Sequence, residues 1–283
     1  MGGSAFAAPL EGEVAAPVEV PVEVDPTASA DSAQPTNAAE VAPTAEPAQP
    51  SKVKPAQPAR PVKPAEKGPE PQVLELKGAA DAYYYAPTTK GLKPVLMVLH
   101  GRGGHPKEDC KKWARVARDF GWVVCPQGPE DRGGGARSWA NNPEMARQIL
   151  DTAVTTLRAK YKGRVQTRNN ILIGFSEGAF IAQQVGLKDS QKWSRWLILA
   201  ASDRYWMGET KKDLETARQK LHRVYLLTGE NDGVAKQTTR AGDLLRTAKV
   251  PVRVNIVKGM GHEVPSDKMI TNYRRPLLWL TAK

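Results

Sequence analysis

The stretch NNILIGFSEGAF, residues 169–180, decides how this chain is read. Ile171-Leu172-Ile173 is a short apolar run that stops at Gly174, the pattern of a strand covered on both faces. Phe175-Ser176-Glu177-Gly178 comes next, and the small and apolar residues after it read as a helix, EGAFIAQQVGL. A serine between two glycines, where a strand hands over to a helix, has two readings. It is a tight turn that happens to carry a serine, or it is a side chain held above the end of a sheet. The residues just past the other strands decide between them.

Working outward from that stretch, strands and helices alternate. VLELK and DAYYYA are short β-like runs, expected to form an antiparallel lead-in. PVLMVL (94–99) is a continuous apolar run, and the helical KEDCKKWARVARDF (107–120) repeats Trp113, Val116 and Phe120 at helical spacing. GWVVC (121–125) is the next strand, then a glycine-rich loop spans 126–142. A long helix comes after it, with Pro143 in its first turn, Gly163 at its end, and Met145, Ile149, Leu150, Val154 and Leu157 as its buried stripe. RWLILAA (195–201), RVYLLTG (223–229) and VRVNIV (252–257) are strands with helices between them, and a last helix after Ser266 is expected to bend at Pro276. This order predicts an α/β fold, a mostly parallel central sheet with helices on both faces. In such sheets functional residues gather at the carboxyl ends of the strands.

The strand ends carry chemistry. A neutral serine hydroxyl is a poor nucleophile and needs a base. Of the four histidines, His100 and His105 precede Ser176, His222 opens a strand, and His262 sits in KGMGHEVP, just past the last strand. His262 is the expected base. An acid should hold that imidazole and stabilise its cation. Asp232, in LLTGENDGVA after the preceding strand, is the expected one, with Asp203 and Glu230 as rivals. A developing oxyanion needs N–H donors. VLHGRGGHP (98–106) lies at the end of the first long apolar strand, and the backbone N–H groups of Arg102 and Glu177 are expected to be the pair. His100 is then expected to be a structural hydrogen-bonder.

LHGRGG, PQGP…RSW, GFSEGA, TGENDGVA and GMGHEVP, in that order, resemble the α/β-hydrolase superfamily, and most closely its phospholipase/carboxylesterase branch. The resemblance covers nearly all of residues 72–283. It implies an α/β-hydrolase fold and hydrolysis of a carboxylic ester or thioester through an acyl-enzyme, with Ser176, His262 and Asp232 as the triad. It implies no metal and no organic cofactor, and a small-molecule or lipid-like ester as substrate. Two residues depart from the pattern: Ala179 stands where a second glycine is frequent, and Arg102 where a small apolar residue is common. Polyhydroxybutyrate depolymerases and feruloyl esterases are similar in the early HG loop and are rival branches. A serine peptidase on the same fold and a catalytically silent binding protein are the other readings. Arg102, Arg132, Arg137 and Arg204, with Trp139, Tyr205 and Trp206, are expected at or near the active face, either as a pocket with aromatic walls and a cationic rim that favours an acidic or aromatic acyl group, or as scattered surface arginines. Arg102, Arg137, Trp139 and Trp206 are its expected substrate contacts.

Composition divides the chain. Residues 1–71 hold 14 of the 23 prolines, no Trp or Tyr, and ten acidic against five basic residues, so they are expected to be a disordered Pro/Ala-rich tail or linker. Residues 72–283, the expected catalytic domain, carry 36 basic and 20 acidic residues, net +16. No nucleic-acid recognition motif accompanies that charge, so specific nucleic-acid binding is not expected. Association with an anionic envelope surface explains the charge as simply. No run approaches the ~20 apolar residues of a membrane span. SAFAAP (4–9) has the small-x-small pattern of a signal-peptidase site, and export to the periplasm, envelope or exterior is slightly favoured over a cytoplasmic place. Cys110 and Cys125 fall at the same edge of the expected sheet, where a disulfide and two reduced thiols are both open.

Overall fold

The computed structural model describes residues 69–206 and 209–282. The expected tail lies, but for its last three residues, outside the described part.

The central sheet has eight strands in the order β1 (Gln72–Leu74), β2 (Ala82–Tyr85), β4 (Trp122–Cys125), β3 (Val95–Leu99), β7 (Ile171–Phe175), β8 (Arg195–Leu199), β9 (Arg223–Gly229), β10 (Val252–Val257). β1 pairs antiparallel with β2, and β2 with β4. All the other neighbours are parallel. Among the described residues the α-helices are α1 (Pro106–Ala117), α2 (Pro143–Lys160), α3 (Glu177–Lys188), α4 (Glu209–Ala217), α5 (Ala235–Thr247) and α6 (Met269–Thr281).

The continuous apolar strands are explained by two cores, one on each face. From β3, Val95, Met97 and Leu99 pack with α2, α3, α4 and α5. Leu96 and Val98 point the other way, to α1 and α6. With both faces covered, no position along β3 can be polar. α2 starts as its sequence predicts: Asn142 is the N-cap and accepts from the Met145 N–H, and Pro143 comes directly after it. Its buried stripe is shifted. Ala146 and Ala153 lie inside with Ile149, Leu150, Val154 and Leu157, while Met145 is exposed. α6 runs as one helix through Pro276. The glycine-rich loop contains a short hairpin, β5 (Glu130–Asp131) with β6 (Arg137–Ser138), too short to leave a periodic signal.

Cys110 on α1 and Cys125 at the end of β4 are joined in a disulfide, with their Cα atoms 5.6 Å apart. The bridge pins α1 to the sheet next to the loop at the end of β3.

Candidate active site

Ser176 sits between β7 and α3 with φ 53° and ψ −118°, a conformation that non-glycine residues rarely hold. The flanking glycines make that turn possible. A Cβ on Gly174 would lie 2.3 Å from the Gly178 carbonyl oxygen, and one on Gly178 would lie 2.2 Å from the Leu99 carbonyl oxygen. Both are overlaps with backbone, which cannot give way. The turn lifts the serine side chain beside the N-terminus of α3, where free N–H groups and the positive end of the helix dipole face it.

The loops after β9 and β10 bring their residues to this serine. His262 Nε2 is 3.0 Å from Ser176 Oγ, and His262 Nδ1 is 2.9 Å from Asp232 Oδ2. Asp232 is buried, whereas the His262 side chain is nearly half exposed. Burial raises the Asp232 pKa, but the Thr228 hydroxyl, the Val234 N–H and His262 outweigh it, and the carboxyl ends below its ordinary value. An ionised Asp232 fixes the imidazole tautomer: Nδ1–H donates to the carboxylate, so Nε2 accepts from the serine hydroxyl. The rival acids are engaged elsewhere. Asp203 is paired with Arg240, and Glu230 accepts from the Gly259 N–H. Thr228, which the sequence does not single out, donates at 2.7 Å to the same Asp232 oxygen that receives His262.

The loop after β3 packs against the serine turn, since a Cβ added to Gly101 would be 3.3 Å from the Ser176 Cβ. Neither the Arg102 nor the Glu177 backbone N–H has a hydrogen-bond partner among the described residues. His100 shapes this loop from beneath. It is buried, its Nδ1–H donates to the Gly101 carbonyl at 2.8 Å, and its Nε2 accepts from the Gly128 N–H at 3.1 Å. Burial lowers its pKa and keeps it neutral, as an accepting Nε2 requires.

The Glu177 carboxylate has a place that sequence reading misses, since the sequence points only to its backbone. Its side chain is 3 % exposed. It accepts from the Trp139 N–H (3.1 Å), the Asn141 N–H (3.1 Å) and the Ser138 hydroxyl (3.2 Å), and meets Arg102 at 3.2 Å. Burial raises its pKa, yet those bonds and the Arg102 charge hold it below the ordinary carboxylate value. One buried carboxylate thus ties the serine turn, the 138–141 segment and the Arg102 loop together.

The expected aromatic walls and cationic rim are corrected by this network. Trp139 is fully buried: its indole N–H donates to the His100 carbonyl and its ring stacks on His100. Trp206 is also buried, donating to Gln183 on α3. Arg137 points into its own loop, donating to the carbonyls of Gly128 and Pro129 and pairing with Asp131. Its backbone joins the Arg102 loop through Gly103 N–H to Arg137 carbonyl and Arg137 N–H to Gly104 carbonyl, both 2.9 Å. Trp139 and Trp206 are buried behind the site, and Arg137 is mostly buried in its own loop. Arg102 remains half exposed beside Glu177; Arg132 pairs with Glu130, and Arg204 is exposed. The Tyr205 side chain lies outside the described part.

A cavity of about 270 Å³ lies between the Arg102 loop and α1, reaching Gly101 and Phe175 but lined by neither Ser176 nor His262. Ile173, Phe175, Trp113 and Val264 give it apolar sides, while His105 and Lys112 stand among its polar residues.

Solved structures share this architecture. A Bacillus cereus carboxylesterase is similar over 70 % of this chain and 92 % of its own, with a TM-score of 0.53 and 18 % identity. Esterase PE8 is similar over 70 % and 95 %, with a TM-score of 0.52 and 22 % identity. The chain has the α/β-hydrolase fold. The fold is not confined to esterases: a Porphyromonas gingivalis dipeptidyl peptidase 4 is similar over 75 % of this chain and 35 % of its own, with a TM-score of 0.54 and 18 % identity. Neither protein-family models nor curated proteins give a match. Within this α/β-hydrolase fold, Ser176, Asp232 and His262 stand after β7, β9 and β10, all at carboxyl ends of strands in the parallel half of the sheet.

Proposed function

We propose that the protein is a serine hydrolase that cleaves carboxylic esters or thioesters through an acyl-enzyme. The observation that carries this reading is the continuous chain of contacts from Ser176 Oγ to His262 Nε2 (3.0 Å) and from His262 Nδ1 to Asp232 Oδ2 (2.9 Å). In this mechanism Ser176 Oγ attacks the carbonyl carbon as His262 Nε2 takes its proton. The carbonyl electron pair moves to oxygen, and the oxyanion is held by the Arg102 and Glu177 backbone N–H groups. The tetrahedral intermediate collapses, His262 returns the proton to the departing alcohol or thiol, and the acyl group stays on Ser176. Water then repeats the sequence and releases the acid. Asp232 stays ionised throughout and stabilises the imidazolium.

The phospholipase/carboxylesterase branch is the proposed relationship, on the strength of the motif set. The disulfide supports export, because such bonds persist in oxidising compartments. A panel of p-nitrophenyl esters of rising acyl length tests the proposal. Activity on the preferred ester should be absent in Ser176→Ala. Turnover retained by that variant would overturn the assignment, and a catalytically silent protein would show no turnover in either.

A further inference from the structure

The net +16 of residues 72–283 is not explained by the Ser176 site, and part of it collects at the opposite end of the sheet. Between Arg158 and Arg168 the chain carries Arg158, Lys160, Lys162, Arg164 and Arg168 and no acidic residue. This run spans the end of α2 and the turn into β7, at the amino ends of the parallel strands. A cavity of about 590 Å³ opens there, lined by Leu92, Arg158, Tyr161, Lys162 and Arg168 among others, with no carboxylate in its wall. None of the five cations has a carboxylate within 4.0 Å among the described residues, although 18 ion pairs form elsewhere in that part.

The wall is held in place. The Tyr161 ring lies 4.4 Å from that of Trp122, and its hydroxyl is 2.9 Å from the Tyr84 hydroxyl. Arg164 lies over both Trp122 and Tyr161. A helix C-terminus favours basic residues by itself, but its dipole amounts to roughly half a negative charge. Five unit charges exceed what it can balance; Lys160 and Arg164 lie over aromatic rings, and Arg158, Lys162 and Arg168 line the cavity. Two guanidiniums and an ammonium lining one concave surface suit phosphate oxygens, which take bidentate bonds from arginine.

We propose that this cavity is a second ligand site, separate from the Ser176 site, that binds an anion carrying clustered phosphate groups. A concave site admits a single phosphate chain, whereas a flat bilayer could not enter it. Inorganic tripolyphosphate, titrated calorimetrically into the full chain, is the probe. Arg158, Lys162 and Arg168 are exposed, so their joint replacement by alanine leaves the core untouched. The expected result is one site per chain, weakened at least about tenfold in the triple variant. A control losing the same charge elsewhere, Lys211, Lys212 and Lys236 to alanine, should bind within about threefold of the original chain. Hydrolysis of a short p-nitrophenyl ester should be unchanged in both. The proposal is overturned if tripolyphosphate does not bind, or if both triple variants lose affinity equally. It is likewise overturned if the three cavity residues govern binding only to phosphatidylglycerol vesicles.

Discussion

Replacing Glu177 by glutamine tests how the site is held. The side chain keeps its shape and one acceptor oxygen, but puts an NH2 either at Oε1, which receives the Asn141 N–H and the Ser138 hydroxyl, or at Oε2, which receives the Trp139 N–H. A buried donor left without a partner costs about 1–3 kcal/mol, and at least one is orphaned, with donor facing donor as well. A loss of about 2–4 kcal/mol in folding stability results, within what a domain of ordinary stability survives. The Glu177 backbone N–H is retained, so any catalytic loss reflects displacement of the Arg102 loop and the 138–141 segment. Displacement on the order of 1 Å costs up to ~100-fold, so kcat on p-nitrophenyl acetate should fall about 10- to 100-fold with KM little changed. Urea unfolding and steady-state kinetics on the same samples read both effects. The pH dependence supplies a further readout. Because the folded Glu177 carboxyl titrates below its ordinary value, its stabilisation is complete above the unfolded carboxylate range. It is lost as pH falls through the lower folded value, so the gap between wild type and variant should narrow in acid. A Glu177→Gln protein with unaltered kcat, an unaltered urea midpoint and an unaltered acid limb would refute the reasoning.

The same contacts set other outcomes. Arg102→Ala should cost only about 0–1 kcal/mol by urea unfolding, since the guanidinium is half exposed and the backbone N–H remains. Asp232→Asn should lower kcat by on the order of 10³–10⁴ at neutral pH, because the amide no longer holds the Nδ1–H tautomer. Thr228→Val removes one of the bonds that orient Asp232, and a fall in kcat of about tenfold is expected in steady-state assays. Replacing both Cys110 and Cys125 by serine opens a loop of sequence separation 15, and should lower unfolding free energy by about 3 kcal/mol under non-reducing conditions.

Much of the fold is legible from the chain because its signals are local. A short, nearly continuous apolar run is a buried strand whatever lies across from it, and β3, β7 and β8 read that way. The positions of Ser176, Asp232 and His262 are legible for a related reason: each comes soon after a strand, so strand order alone carries them to one sheet edge. Residues whose fate depends on distant partners are read less well. Arg137, Trp139 and Trp206 are amphipathic, and only the packing of the 128–141 segment against His100, and of Trp206 against α3, turns them inward. Nothing near Glu177 in sequence announces that its carboxylate will receive three donors from a segment nearly 40 residues earlier. Met145 belongs to the α2 stripe by hydrophobicity alone, but the helix turns Ala146 inward instead, and small residues carry little periodic signal.

The central claim is that Ser176 is a nucleophile activated by His262. The most direct measurement is to treat the full chain with a fluorophosphonate, digest it and locate the adduct by mass spectrometry, with His262→Ala treated in parallel. The account predicts a single stoichiometric adduct on Ser176 and a labelling rate at least about 100-fold lower without His262. An unlabelled chain, an adduct on another residue, or equal labelling rates in the two proteins would contradict it.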